Sequence, residues 1–226
     1  MGTRIASAAT LMLGLTVMAC APEIVKIDQS TRDSLRRVAE IKVVHYFPPD
    51  LQVQGAGLVG YGPSAGAAAA IQTQAQNQAA HELAIEDPVL RIKSHVSSSL
   101  TKILATNNLT PVPTPLQELQ VDKLKGIFPQ GTVLDFATTY WGVMPLPYNP
   151  FELVLYRARA RLLKFPEGEL LWQGRCDLES DDSAGMPSDK TAVVTRALLV
   201  SNTLNRLADR CSEQLVAQFS GTDDSE

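Results

Sequence analysis

The chain contains three cysteines, and their surroundings suggest two kinds of chemistry. Cys20 directly follows an apolar run near the start of the chain, whereas Cys176 and Cys211 lie far downstream in segments with periodic apolar residues. A thiol can be acylated, oxidised or buried as a small apolar group, and its surroundings decide between these fates. Cys20 is therefore a candidate for modification, and the two later cysteines are a candidate pair.

The segment before Cys20 has the parts of a secretion signal. Arg4 supplies a positive charge, residues 8–17 form an uncharged apolar stretch, and residues 17–20 read VMAC. The apolar stretch is short for a membrane-spanning helix, which needs about 20 such residues. We interpret residues 1–19 as the signal peptide of a lipoprotein, for the reason given in the next paragraph. An ordinary signal peptide and an N-terminal anchor helix are the two alternatives.

The sequence VMAC resembles the lipobox of bacterial lipoproteins. The resemblance implies that residues 1–19 are removed, that the Cys20 thiol is diacylated, and that its new amino group is acylated as well. Several acyl chains anchor a protein stably, since each buried methylene contributes about 0.8 kcal/mol. Ala21 follows the cysteine, whereas an Asp there retains such proteins in the inner membrane of enteric bacteria. The resemblance therefore predicts a lipid anchor on the periplasmic face of the outer membrane.

The composition is that of one ordinary globular domain with an acidic balance. The chain has 226 residues, of which 45% are hydrophobic and 19% charged, and its net charge is −4. A nucleic-acid partner is not expected, because it would require a basic patch. Export would place Cys176 and Cys211 in an oxidising compartment, where a cysteine pair normally closes into a disulfide. Two buried, unpaired cysteines are the alternative.

Apolar periodicity predicts an α/β (α+β) sandwich, in which two long helices pack on one mixed, mostly antiparallel sheet of about five strands. The predicted strands are residues 41–47, 109–113, 132–142, 151–165 and 169–176. The predicted helices are residues 64–85, 87–107, 114–126 and 190–219. The predicted organisation is a signal peptide (1–19), a lipidated tether (20–40), a single domain (41–220) with a Gly/Ala-rich insert (55–80), and a polar tail (221–226).

The same periodicity brings Cys176 and Cys211 towards each other. The predicted last strand places on its core face Leu170, Trp172, Gly174 and Cys176. Cys211 lies on the apolar stripe of the last helix, which also includes Leu198, Leu204 and Leu215. If this helix packs across the end of the strand, the two sulfurs can meet.

Three arginines alternate with apolar residues in the predicted strand 151–165. Arg157, Arg159 and Arg161 therefore share the face opposite the core. We expect a solvated face on which these arginines pair across the sheet with Asp135, Glu152 or Glu169. An anion-binding site is the alternative interpretation.

Catalytic and metal-binding patterns are not found in the sequence. The three histidines, His45, His81 and His95, are scattered without the spacing of metal ligands. The glycine-rich part of the insert 55–80 is not followed by the Lys and Ser/Thr of a phosphate-binding loop. We predict a loop leading into a helix there, with a membrane-inserting hairpin as the alternative, which the glutamines of the insert disfavour.

Four segments together carry a resemblance to uncharacterised bacterial outer-membrane lipoproteins. They are the lipobox, DPVLRIK (87–93), VLDFATTYWG (133–142) and YRARARLLKFPEGELLWQG (156–174). The chain is also distantly similar to periplasmic α/β lipoproteins such as the penicillin-binding-protein activators and the curli-secretion lipoprotein. The likeness covers about residues 87–219 and implies a fold and a location, but no functional residues.

We therefore expect a lipid-anchored, non-enzymatic accessory or scaffold protein of an envelope complex. It would need no cofactor, and its partners would be the membrane and an unidentified envelope protein. The alternatives are a periplasmic enzyme with an unrecognised site and an oligomeric secretion pore in which residues 55–80 insert into the membrane.

Overall fold

A computed structural model describes residues 24–53, 85–117, 119–145, 152–180 and 193–222. The helices in these ranges are α1 (Gln29–Leu35), α2 (Val89–Leu104), α3 (Val121–Ile127) and α4 (Val193–Ser220). The strands are β1 (Ile41–His45), β2 (Gln52–Val53), β3 (Leu109–Pro111), β4 (Gly131–Pro145), β5 (Glu152–Phe165) and β6 (Glu169–Glu179). Apart from Ile85, the described ranges exclude the signal segment 1–19, Cys20, the insert 55–80 and the predicted helix 64–85.

One open sheet contains all of these strands, in the order β3-β1-β4-β5-β6, with β2 beside the far end of β4. β3, β1 and β4 run parallel, whereas β4, β5 and β6 form an antiparallel meander. The predicted mixed, mostly antiparallel sheet is confirmed. β3 lies at an edge, a position that suits Pro111, which has no N–H to donate to a neighbouring strand.

The two long helices cover one face of the sheet and enclose the main core. The apolar residues of α2 recur at intervals of three and four, and those buried are Val89, Ile92, Val96, Leu100 and Leu104. α4 contributes Leu204, Ala208, Cys211, Leu215 and Phe219. The ring of Phe219 meets that of Trp172 on β6 edge to face, with 5.2 Å between centroids. Burial of these apolar stripes against the sheet is what stabilises both helices.

A disulfide between Cys176 and Cys211 joins β6 to α4. The Cα atoms of the two cysteines are 5.4 Å apart, and both side chains are buried. This distance lies within the range that a disulfide spans. The predicted pairing is confirmed, and the alternative of two unpaired cysteines is wrong.

Leu170 and Leu198 do not lie in the core, contrary to the predicted stripes. The register between β5 and β6 shifts after Leu162, which opposes Trp172, so that Leu163 opposes Leu170. This irregularity inserts Leu171 and turns Leu170, which is 36% exposed, away from the main core. Leu198 lies in the first turns of α4 and is 60% exposed.

The opposite face of the sheet is not wholly wet, because a second apolar core covers part of it. This core comprises Val44, Tyr46, Leu124, Phe128, Val133, Ala137, Leu163 and Phe165. The predicted single core face is therefore corrected. α3 packs there because Leu124 and Phe128 need an apolar surface to cover them.

α3 is shorter than the predicted helix 114–126 and begins only at Val121. The chain before it continues alongside β1, where the Leu116 N–H donates to the His45 carbonyl at 2.8 Å. Leu119 is 44% exposed rather than on an apolar helix face. Backbone pairing with β1 therefore competes successfully with helix formation in this proline-containing stretch.

The packed domain begins before the predicted boundary at residue 41. Ile27 and Leu35 are buried in the main core, so part of the predicted tether belongs to the fold. Asp28 caps α1 by accepting from the Thr31 N–H at 2.7 Å. Hydrogen bonds from Ser30 and Thr31 lower the pKa of Asp28 to about 2.

Two groups pair with the outer edge of β6, which would otherwise expose unpaired backbone groups. Val25 and Gln173 exchange backbone hydrogen bonds of 3.0 and 3.1 Å. The side-chain amide of Gln218 on α4 accepts from the Arg175 N–H at 3.0 Å and donates to the Arg175 carbonyl at 2.9 Å. The edge is thus tied both to the start of the domain and to its last helix.

Gly174→Ala is expected to lower the free energy of unfolding by about 1–3 kcal/mol, because overpacking forces neighbouring side chains to move. A methyl group at Gly174 would lie 2.7 Å from the Trp172 ring, 2.8 Å from Gln218 Oε1 and 2.9 Å from a Leu215 methyl. Gly126→Ala on α3 is the control, because a methyl group there meets nothing within 4 Å. Denaturant unfolding that shows equal stability for the two variants would refute the expectation.

Candidate functional site

The three arginines of β5 lie on the face opposite the two long helices, as the alternation predicts. Their burial increases towards the second core: Arg157 is exposed, Arg159 is half-buried and Arg161 is 8% exposed. Each therefore meets a different environment, and only Arg157 fits the expected solvated face.

Arg161 forms a buried ion pair with Asp135 on β4. The Arg161 Nη2 to Asp135 Oδ2 distance is 2.6 Å, and Nε lies 3.1 Å from both carboxylate oxygens. Asp135 is fully buried and also accepts from the Tyr46 hydroxyl at 2.7 Å. Burial and the Asp135 charge raise the pKa of Tyr46. The predicted Asp135 partner is confirmed, and its oxygens are occupied by structural hydrogen bonds.

Arg157 pairs with Asp177 at the surface, rather than with Glu152 or Glu169. Its Nε lies 2.8 Å from Asp177 Oδ1 on β6. The guanidinium also lies over the Tyr140 ring, 5.3 Å from the centroid, which is a cation–π distance. The two contacts hold Arg157 in one orientation along the sheet surface.

Arg159 carries a charge that no described carboxylate neutralises through a hydrogen bond. Its Nε and Nη2 atoms are buried and have no hydrogen-bond partner within the described ranges. Its neighbours across the sheet are Ala137 on β4 and a second arginine, Arg175, on β6. Burial, together with the positive charge of Arg161, lowers the pKa of Arg159. Two guanidinium N–H groups are thus buried without a hydrogen bond to any described residue, which is costly in a folded protein.

Arg157, Arg159 and Arg175 border a groove of about 420 Å³ on the sheet surface. We call it the arginine groove; its lining includes Tyr140, Arg157, Arg159, Gln173, Arg175 and Asp177. Three arginines there face one aspartate, so the lining is positive although the whole chain is acidic. Guanidinium forks bind carboxylate and phosphate oxygens bidentately. The structure therefore supports the anion-binding interpretation at Arg159, alongside the ion pairs at Arg157 and Arg161.

Sequence reasoning missed Arg175 and Asp177 as parts of this groove. The signal was present, since Gln173, Arg175 and Asp177 alternate along β6 as the β5 arginines do along their strand. Combining the two sets requires the register that places Arg159 opposite Arg175. That register cannot be read from the alternation of either strand alone.

A second buried polar cluster lies at the start of α2. The Asp87 carboxylate accepts from Thr138 Oγ1 at 2.7 and 2.8 Å and from the Tyr156 hydroxyl at 3.3 Å. It also accepts from the N–H of Val89, the first residue of α2, at 3.1 Å. Burial raises the pKa of Asp87. The cluster ties α2 to β4 and β5, and its groups satisfy one another.

His45 and His95, the two histidines within the described ranges, do not form part of a metal site. His45 is buried, with Nδ1 3.1 Å from Lys93 Nζ, and burial and the Lys93 charge lower its pKa. Within the described ranges no three His, Cys, Asp or Glu side chains are placed to hold a metal ion. In the same part of the chain, the helices are too short or too polar to cross a membrane.

No family model and no curated protein matches this sequence. Among solved structures, the chain is similar to lipoprotein GNA1162 from Neisseria meningitidis, with 16% identity, 75% and 99% coverage of this chain and that chain, and a TM-score of 0.32. It is also similar to a PelC dodecamer from Paraburkholderia phytofirmans, with 12% identity and a TM-score of 0.30; the match covers 82% of this chain and 95% of that chain. A third similar structure is that of a putative lipoprotein from Caulobacter crescentus CB15, with 13% identity and a TM-score of 0.27; the match covers 60% of this chain and 88% of that chain. Values this low assign no residue and no activity to this chain.

Proposed function

We propose that this protein is a bacterial lipoprotein, anchored through Cys20 to the periplasmic face of the outer membrane, whose α/β domain serves an envelope complex as a non-enzymatic accessory or scaffold. The observation that carries the proposal is the position of Val25, which pairs with Gln173 on β6. A fully extended chain from Cys20 to Val25 spans at most about 17 Å. Acyl chains on Cys20 would therefore hold the domain close to the bilayer surface.

Other features support the proposal. The Cys176–Cys211 disulfide suits an oxidising compartment such as the periplasm. Ala21 lacks the acidic side chain that the lipoprotein family uses for inner-membrane retention. The two buried carboxylate clusters, around Asp87 and Asp135, are engaged in structural hydrogen bonds, which favours a binding role over acid–base catalysis.

Cys20→Ser is expected to abolish acyl-chain incorporation and retention in the outer membrane, because the acylated thiol is lost. Precursor of the variant would accumulate uncleaved by the lipoprotein peptidase. Metabolic labelling with a tagged fatty acid, followed by membrane fractionation, measures both effects. Two outcomes would contradict the anchor. One is variant protein that still carries the label and fractionates with the membrane; the other is processing of the natural chain that continues in the presence of globomycin, the inhibitor of the lipoprotein peptidase.

In-cell crosslinking followed by affinity capture tests the scaffold role. We expect an envelope protein to be enriched with the natural chain and to be lost with Cys20→Ser, because the anchor brings the domain to its partner. A set of captured proteins that is identical for the two chains would refute an anchored scaffold.

A further inference from the structure

We propose that the arginine groove binds the phosphate of an anionic phospholipid headgroup in the membrane that carries the anchor. The inference rests on the proposed lipid anchoring and extends it by naming a second contact between the domain and the membrane. That contact would orient the domain on the bilayer, which a flexible acylated residue alone does not.

Arg159 is the residue whose environment indicates a bound anion. Its Nε and Nη2 donors are buried and unpartnered within the described residues, while Asp135 is already occupied by Arg161 and Tyr46. Across the sheet its neighbour is Arg175, which adds positive charge instead of neutralising it. An oxyanion in the groove would supply the acceptors that the described residues do not.

The groove also has the geometry for phosphate. Arg157 is held by Asp177 and by the Tyr140 ring, so its guanidinium is already oriented. Arg159 and Arg175 project from adjacent strands of a rigid sheet, and each presents a planar set of N–H donors. A tetrahedral phosphate can accept from two such forks at once, whereas chloride offers one centre.

The path of the chain favours a lipid headgroup over phosphate in solution. Val25 pairs with Gln173, which itself lines the groove, so the segment from Cys20 reaches the domain at the groove. The extended segment spans at most about 17 Å. An acylated Cys20 would keep the groove within that distance of the headgroups, where an anionic surface attracts arginines.

The variant Arg159→Gln distinguishes a ligand-binding role of Arg159 from a structural role. Without a ligand, Arg159→Gln should fold and be at least as stable as the natural chain, because it removes a desolvated charge and breaks no hydrogen bond between Nε or Nη2 and a described residue. With anionic lipid, the same variant should bind more weakly. A structural arginine would show the reverse, with loss of stability and unchanged binding.

The test uses the chain from residue 20 with Cys20→Ser, which keeps every described residue and carries no acyl chain. Its association with phosphatidylcholine vesicles is compared by flotation, at low salt, with vesicles that also contain phosphatidylglycerol. We expect binding only with phosphatidylglycerol, and about a tenfold weaker association for Arg159→Gln, the loss expected for one charge-assisted contact. Arg36→Gln is the matched control, because it removes the same charge from the α1 end, where Arg36 pairs with Asp33.

Inorganic phosphate separates the two sources of the anion. If phosphate displaces the protein from phosphatidylglycerol vesicles, and chloride at the same ionic strength does not, the lipid headgroup and free phosphate bind the same site. If phosphate raises the melting temperature of the protein but the protein does not bind the vesicles, the ligand is not a lipid headgroup and the proposal is overturned.

Equal vesicle binding by Arg159→Gln and Arg36→Gln, or equal binding to both kinds of vesicle, would overturn the proposal. Because this chain carries no acyl group, its result is independent of the Cys20 fractionation experiment, so failure of the groove and failure of the anchor are distinguishable.

Discussion

Replacing both bridge cysteines, Cys176→Ala with Cys211→Ala, is expected to lower the free energy of unfolding by about 4 kcal/mol. The disulfide closes a loop with a sequence separation of 35 residues, and removing it returns that loop-closure entropy to the unfolded chain. Since many domains have a total stability of only about 5–15 kcal/mol, the loss is a large fraction. Denaturant unfolding of the natural and double-variant chains measures the difference.

The reducing agent dithiothreitol provides the control for the bridge. It should destabilise the natural chain and leave the double variant unchanged. Hydrogen exchange should show α4 loosening before the sheet, because the bridge ties this helix to β6, whose partner β5 is held on both sides. Equal stability of the oxidised and reduced natural chains would show that the bridge contributes nothing.

Asp135→Asn is expected to cost about 3–5 kcal/mol of unfolding free energy. The substitution removes the negative charge that compensates Arg161, which is 8% exposed and remains charged in the interior. The Tyr46 hydroxyl would also lose a charged acceptor 2.7 Å away. Thermal or denaturant unfolding at neutral pH measures the loss.

Asp177→Asn is the matched control for Asp135→Asn, because it breaks the Arg157–Asp177 pair at the exposed end of the same sheet face. An exposed ion pair contributes about 0–1 kcal/mol, since water screens both charges. The double change Asp135→Leu with Arg161→Met should recover most of the loss by removing both buried charges. Similar costs for the two aspartate variants would mean that burial of the Arg161 charge is compensated elsewhere.

Local patterns account for the elements that were predicted well. The three- and four-residue spacing in α2 and α4 and the two-residue alternation in β5 each record burial of one side of an element, so the pattern follows from the sequence. The disulfide prediction succeeded because Cys176 and Cys211 each lie on such a buried face.

The failed predictions depend on contacts between distant segments. Leu170 turns away from the core because of a register shift between β5 and β6, and Leu116, which lies in the predicted helix 114–126, pairs with the backbone of His45 and Phe47 instead. α1 and the residues just before it belong to the domain because Leu35 and Ile27 are buried in the main core. None of these outcomes is a property of a segment on its own.

The candidate site divides in the same way. By itself, the sequence determined that Arg157, Arg159 and Arg161 share one face of a strand, because alternation is a property of extended backbone. Only the tertiary structure decided that Asp135 neutralises Arg161, that Asp177 engages Arg157, and that Arg159 lies opposite Arg175 with no hydrogen-bond partner at Nε or Nη2 among the described residues. The reason is that strand order and register set which charges lie within a few ångströms of one another, and electrostatic energies depend on that distance and on burial.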